Sequence, residues 1–212
     1  MNVIDQLHSG LKSVAENFVV EALAKDFQPK IVEILKKHGK DRQRKSPLSP
    51  LLSVWLILSL PLRRELSYPN VLDWLLSGQR AAGWKVPRHS VQDGAISHAR
   101  ERIGVDVLRE TFQASVEIAE KPEADFHGLV SMAVDGSQLT MPDTAENALE
   151  FGKPGSGRAV GAFPQARLVG LVAVTLQAMV DVELGPCWGK GTGERTLALD
   201  LILRNAREGR LF

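Results

Sequence analysis

The sequence predicts the fold class α + α/β, with an all-helical N-terminal domain followed by an α/β domain. Residues 1–122 carry apolar side chains at helical spacing, whereas residues 129–134 form a mostly apolar run that ends in a carboxylate and a glycine. The charge changes at the same place, since residues 1–122 carry 18 basic and 14 acidic side chains against 8 and 11 in residues 123–212. We therefore divide the chain into domains 1–122 and 123–212. A basic first domain suits nucleic-acid contact and an acidic second domain suits metal binding; random scatter of charge is the alternative.

Composition excludes several classes of protein. The single cysteine, Cys187, cannot form an intramolecular disulfide or a cysteine zinc cluster, and it favours a reduced, cytoplasmic compartment. The N-terminus lacks the charged and then apolar layout of a signal peptide. The most apolar run, residues 51–62, is shorter than the roughly 20 residues that a membrane span needs, so we expect no membrane contact.

A basic segment follows two predicted amphipathic helices at residues 3–24 and 27–37. Residues 36–45 hold six basic side chains and one acid, Gly39 breaks the helix, and two prolines follow. This pattern predicts a mobile basic connector, which is either an ordinary solvated loop or a phosphate-binding segment. The candidates for phosphate contact are Lys40, Arg42, Arg44 and Lys45.

The middle of the first domain predicts a compact helical core. Residues 49–60 form an apolar helix opened by Ser49 or Pro50, and residues 68–76 form a second helix that Gly78 ends. A last helix spans 107–120, capped by Asp106. Tryptophans are expected to pack in this core rather than stack on bases, namely Trp55, Trp74 and Trp84.

The segment 90–104 has the pattern of a recognition helix. Ser90 is a good N-cap, Gly104 a good C-terminal glycine, and small or branched apolar residues share one face: Ala95, Ile96, Ala99 and Ile103. Polar and basic residues lie largely elsewhere, as in the second helix of a helix-turn-helix. An ordinary capped surface helix looks the same. The candidates for base contact are Gln92, His98, Arg100 and Arg102.

The second domain begins with a strand at 129–134 that delivers Asp135 to an open rim. Strands are also predicted at 166–175 and 177–184, paired with each other, then a helix from Gly193 through Arg207. Gly209 closes this helix, and residues 210–212 begin another strand. A polar, turn-rich excursion separates the first two strands, and Asp143 and Glu146 lie in it.

This order of elements is the opening order of the ribonuclease-H-like fold. The residues resemble the DDE transposases of the insertion-sequence-four type, from about residue 30 onward. The motifs that carry the resemblance are Ala133-Val-Asp-Gly-Ser-Gln-Leu139, Met141-Pro-Asp-Thr-Ala-Glu-Asn147, Phe151-Gly152, Phe163-Pro-Gln-Ala-Arg-Leu168 and Gly193-Glu194, with Ala95 to Gly104 upstream.

The resemblance implies cleavage and strand transfer of double-stranded DNA at the ends of a mobile element. In this family two Asp and one Glu hold two divalent metal ions, Mg²⁺ or Mn²⁺, which activate the nucleophile and stabilise the leaving oxygen. Asp135 matches the first of the three acids, and is therefore the candidate catalytic and metal-binding residue. The resemblance also leaves formation of a homo-oligomer open.

The family's second Asp follows the strand that begins near Phe212, and its Glu lies further on. Neither position is in this chain, so we expect no tight metal binding and no nuclease activity from the chain alone. We also expect an unpaired sheet edge beside Asp135 and a second domain that is marginally stable and protease-sensitive, while the helical domain folds independently. Asp143, Glu146 and Glu194 are not taken as substitutes for the missing acids.

Three functional hypotheses remain at this point. The first is the N-terminal part of a DDE transposase that binds element-end DNA. The second is a non-catalytic DNA-binding remnant or regulator of transposition, which metal-dependent nicking of end DNA would exclude. The third is a helical interaction module whose basic residues are merely solvated, which salt-dependent DNA binding would exclude.

Overall fold

The structure is a computed structural model that describes residues 26–42, 48–81, 91, 93–118, 122–156 and 159–212. In these residues the chain combines helices with a four-stranded sheet, which confirms the predicted mixture of helix and strand. The fold separates into two compact units, Met1–Ile118 and Ala119–Phe212. The functional boundary at 122/123 stays a prediction. Among the described helices, none combines the length and apolar character needed to cross a membrane.

Every regular element described in the first unit is helical. The predicted helix at 3–24 lies outside the described residues. The elements are α1 (26–37), α2 (Pro50–Ser59), a 3₁₀ turn (Leu60–Arg63), α3 (Tyr68–Ala81), α4 (Asp93–Ile103) and α5 (Val105–Ile118).

Helix α2 begins where the sequence predicts, at Ser49. The Ser49 hydroxyl accepts a hydrogen bond from the amide of Leu52 at 3.2 Å, and Pro50 occupies the first helical position, where its missing N–H costs nothing. Both features satisfy the start of a helix that is otherwise strongly apolar. The helix can therefore be buried at the centre of the unit.

The core of the first unit combines α2, which is buried at consecutive positions 52–56, with an apolar stripe on each of the other α-helices, because residues three and four apart share a helix face. The Trp55 side chain is buried, as predicted, and meets Phe27 edge to face at 6.2 Å between ring centroids. Trp74 is half-buried and packs against the core, while Trp84 lies outside the described residues. The largest fully buried apolar side chains of this unit are Ile31, Val54, Leu56, Val71, Leu72, Leu75, Ile96 and Val107.

Two predicted helix boundaries and one predicted inward residue are wrong. Helix α3 continues through Gly78 to Ala81, because a glycine lowers helix stability by only about 1 kcal/mol and the apolar face of α3 offsets that cost. Helix α5 begins at Val105, directly after Gly104, whose φ of 80° ends α4. Ala95 is exposed, because the buried face of α4 runs through Ile96, Ala99 and Ile103.

The second unit is a sheet with the strand order β5-β4-β1-β6. Strand β1 pairs antiparallel with β4 and parallel with β6, and β4 pairs antiparallel with β5. The predicted pairing of the second and third long strands is confirmed. The elements are β1 (Val130–Thr140), α6 (Ala145–Phe151), the short strands β2 (Gly155–Ser156) and β3 (Ala159–Val160), β4 (Gln165–Ala173), β5 (Ala178–Pro186), α7 (Glu194–Asn205) and β6 (Arg210–Leu211).

Helix α7 packs on one face of this sheet through Leu201, which is fully buried. The apolar residues around it come from alternate positions of the strands, since successive side chains of a strand point to opposite faces. They are Met132, Val169, Leu171 and Ala173. Arg204 fixes the far end of the helix, with ion pairs to Asp181 at 2.8 Å and Glu183 at 2.7 Å on β5.

Two predictions about the second unit are corrected. Asp135 does not end a strand, because β1 continues to Thr140 and its residues beyond Asp135 pair with β4, with Gly136 opposite Val169. Glu146 does not lie in an irregular loop. It belongs to helix α6, whose N-cap, Thr144, accepts a hydrogen bond from the amide of Asn147 at 3.2 Å.

The predicted strand after Gly209 is present as β6. The sheet edge at β1, which was expected to be unpaired beside Asp135, is therefore covered in part. Strand β6 covers the start of β1, where Val130 pairs with Arg210 and Ser131 with Leu211. Beyond Ser131, no described residue pairs with β1 on that side. The edge is therefore unpaired beside Asp135 but covered at the beginning of the strand.

Candidate nucleic-acid interface and carboxylate site

A cavity of about 570 Å³ in the first unit gathers several of the predicted DNA-binding residues. We call it the basic cleft and define it by its basic lining residues, His38, Lys40, Arg42 and Arg102. Its remaining walls are Gly39, Leu48, Pro50, Ser53, Ala99 and Ile103. The cleft therefore joins the segment after α1, the start of α2 and the end of α4.

The C-terminus of α1 fixes the backbone of the basic segment. Gly39 has a φ of 63°, its amide donates to the carbonyl of Lys36 at 2.9 Å, and the amide of Lys40 donates to the carbonyl of Leu35 at 2.8 Å. This pair of hydrogen bonds is the Schellman arrangement, which favours glycine at the left-handed position. The predicted helix break at Gly39 is confirmed.

Charge in the basic cleft is largely uncompensated. Among the described residues, its lining contains no acid, and Lys40, Arg42 and Arg102 make no side-chain hydrogen bond or ion pair. The start of α2 also faces the cleft through Pro50 and Ser53, and the N-terminal end of a helix carries partial positive charge. The cleft therefore offers an attractive environment for an anion.

His38 differs from the other basic residues because α5 holds it. Its Nε2 atom lies 2.7 Å from Oε2 of Glu110, and Nζ of Lys37 lies 2.6 Å from the other carboxylate oxygen. These hydrogen bonds, from Lys37 first and then from His38, hold the pKa of Glu110 below its usual value of 4.5. Glu110 thus ties the end of α1 to α5.

The predicted DNA-binding residues divide into three groups. Lys40, Arg42 and Arg102 meet in the basic cleft. Two others, His98 and Arg100, lie on the exposed face of α4 outside it. Three further predicted residues lie outside the described part of the chain: Arg44, Lys45 and Gln92. Sequence reasoning did not single out His38, although it stands within the basic segment, because its position in the cleft depends on the turn at Gly39.

Asp135 is exposed at the middle of β1, opposite Gly170 of β4. Its Oδ1 atom accepts a hydrogen bond from the amide of Gly136 at 2.9 Å. The absence of a side chain at Gly136 admits Glu194 of α7, since a Cβ atom at residue 136 would lie 2.6 Å from Cδ of Glu194. The glycine after the acid thus has a packing role that the sequence did not indicate.

The described residues do not by themselves complete a divalent-metal site. Asp135 offers the carboxylate oxygens that Mg²⁺ prefers, but no group of three or more His, Cys, Asp or Glu side chains in the described residues is placed to hold an ion. We therefore derive no chemical step through a metal ion from this arrangement.

Comparison with known protein families shows what the first unit is similar to. Residues 17–113 match the model described as insertion element 4 transposase N-terminal. The N-terminal part of this chain is therefore similar to the N-terminal domain of the insertion element 4 transposases. All four residues that define the basic cleft lie within the matched residues.

A curated relative extends the similarity beyond the matched domain. The chain is 27% identical over 149 residues to the transposase InsG for insertion sequence element IS4 of Escherichia coli strain K12. The alignment covers 68% of this chain but 31% of that transposase, so the chain spans about a third of the relative's length. The search of solved structures gave no significant match. The resemblance to the insertion-sequence-four transposases is confirmed.

Proposed function

We propose that this chain acts in DNA transposition, as the N-terminal part of a transposase that binds double-stranded DNA at the ends of an insertion element. The observation that carries the proposal is the position of the basic cleft within the residues that match the family's N-terminal domain. A concave surface that is rich in Lys and Arg and that has no acid among its described lining residues attracts DNA phosphates, whatever the base sequence.

The second unit is proposed to be the beginning of a ribonuclease-H-like catalytic domain. What supports this is the chain order of β1, β4, β5, α7 and β6, together with the parallel pairing of β6 beside β1. In such a domain the middle of the central strand is a rigid support for a ligand. Asp135 is proposed to be one carboxylate ligand of the divalent ions, Mg²⁺ or Mn²⁺, that a complete catalytic domain uses.

The affinities of the chain for two duplexes test the proposal that it binds the DNA at the ends of the element. The full chain is titrated into a duplex taken from the DNA that flanks its coding sequence, and into a shuffled duplex of the same length and composition. We expect tighter binding to the flanking duplex. Equal binding to both would leave a DNA-binding protein without end recognition, and no binding to either would contradict the proposal.

Metal titration tests the role of Asp135. Calorimetric titration of Mn²⁺ into the chain and into the Asp135→Asn variant compares the two, because asparagine keeps the size of the side chain but removes its charge. We expect weak binding that the substitution reduces. Identical binding in both proteins would argue against Asp135 as a ligand.

A further inference from the structure

The exposed basic residues of α4 differ in what they contact. Arg100 lies against Tyr68 of α3, with its guanidinium carbon 5.4 Å from the ring centroid and its Nη1 atom donating to the Tyr68 hydroxyl at 3.3 Å. His98 pairs with Glu101, with 3.2 Å between Nδ1 and Oε2. Two of the predicted base-contacting residues therefore already have partners within the first unit.

Arg102 has a different environment. It lines the basic cleft together with Lys40 and Arg42, which come from the segment after α1. None of these three side chains has an ion pair or side-chain hydrogen bond within the described residues. Three cationic side chains that line one cavity from two separate segments resemble an anion site more than a surface that reads base edges.

The residues that line the basic cleft indicate which kind of anion it can bind. Leu48, Ala99 and Ile103 are buried and form an apolar wall, and the start of α2 adds partial positive charge. An arginine presents a planar fork of donors that matches two oxygens of one phosphate group. A phosphodiester offers such oxygens along a chain, so neighbouring phosphates could engage Lys40, Arg42 and Arg102 together.

We propose that the basic cleft is a phosphate clamp, in which Lys40, Arg42 and Arg102 hold a stretch of DNA backbone, and that Arg102 contacts phosphate rather than a base edge. This inference rests on the proposed function and deepens it. Phosphate contacts fix the register of a protein on DNA without reading the sequence. The clamp therefore positions the element end, and recognition of its sequence belongs to other residues.

The test compares charge-removing variants of the full chain on two duplexes. Lys40→Gln, Arg42→Gln and Arg102→Gln each remove one cleft charge, and Arg109→Gln is the matched control, because Arg109 is an exposed arginine that pairs with Asp106 on α5. We expect each cleft variant to weaken binding to the flanking duplex and to the shuffled duplex by the same factor. Each should also reduce the slope of log affinity against log salt by about 1, whereas the control should change neither.

Arg102→Lys is a second variant that separates loss of charge from a folding defect. It keeps the positive charge, so we expect an unchanged salt slope. Binding should still weaken, because lysine lacks the planar fork of donors that arginine has. If Arg102→Gln weakened binding to the flanking duplex alone with an unchanged slope, Arg102 would be a base-reading residue and the clamp would be overturned. If wild-type protein bound DNA and the cleft variants bound equally well, the clamp would fall while the proposed function stood. If wild-type protein bound neither duplex at low salt, both would fall.

Discussion

At the scale of single residues, Thr111 shows how burial and polarity conflict in the first unit. Its side chain is 1% exposed, and its hydroxyl has no hydrogen-bond partner among the described residues. A buried hydroxyl without a partner lowers stability, because it loses its hydrogen bonds to water and gains none in the protein. The residue therefore occupies an apolar position on the inward face of α5.

Replacement of Thr111 by valine tests whether its hydroxyl lacks a hydrogen-bond partner. Thr111→Val keeps the shape and removes the hydroxyl, so we expect the free energy of unfolding to stay unchanged or rise by up to about 1 kcal/mol. The matched control is Val107→Thr, because Val107 lies one turn earlier on the same face and is equally buried. This substitution buries a new hydroxyl and should lower the free energy of unfolding by about 1–3 kcal/mol. Urea denaturation measures both, and a clear loss of stability in Thr111→Val would show that the hydroxyl has a partner.

Three of the four residues that define the basic cleft could be predicted from the sequence, but their grouping could not. Lys40, Arg42 and Arg102 were each candidates for DNA contact because of their charge and local pattern. Arg102 lies 60 positions after Arg42 in the chain, and only the packing of α2 against α4 and the Gly39 turn bring the three residues to one cavity. The base-contact role expected for Arg102 rests on the pattern of α4 alone, and it stays a prediction beside the proposed phosphate contact.

At the scale of elements, the Glu110 ion pairs connect the end of α1 to α5. Lys37 and His38 donate to the two oxygens of this carboxylate and hold its pKa below the usual value of 4.5. A carboxyl group whose pKa is lower in the folded state than in the unfolded state stabilises the fold at pH values above its unfolded pKa. That contribution is lost as the pH falls through the folded value.

The stability of the first unit should therefore decrease as the pH falls below about 4.5. Glu110→Gln removes the ionisable carboxyl, so this variant should be less stable than wild type at neutral pH, and the two should converge in acid. Thermal melts at a series of pH values measure the difference. The matched control is Glu117→Gln on the exposed surface of the same helix. An unchanged gap between Glu110→Gln and wild type down to acid pH would contradict the expected linkage.

Among the elements, those with strong local signals could be predicted and those that depend on partners could not. The Ser49 cap and the Gly39 and Gly104 helix ends were visible because their chemistry is local. The extension of β1 past Asp135 was not, since Gly136 and the polar residues after it continue as a strand only because β4 supplies the pairing. Helix α6 was missed because its seven residues, with none of them buried, carry little apolar periodicity.

At the scale of the whole molecule, the mixed fold and the resemblance to the insertion-sequence-four transposases could be recognised from the order of motifs along the chain. The chain spans 31% of the length of the curated relative that it matches, so catalytic activity in transposition stays a proposal for this chain. The expectation that the first unit folds independently and the second is protease-sensitive stays a prediction. Limited proteolysis tests it, and equal resistance of the two units would contradict it.

The measurement that tests the central claim most directly is the affinity of the full chain for duplex DNA across a series of salt concentrations. If the basic cleft contacts three phosphates, log affinity should fall linearly with log salt with a slope of about −2.7 or steeper, because each contact contributes about −0.9. Absence of binding at low salt, or binding that does not change with salt, would contradict the proposal that this chain binds DNA through the basic cleft.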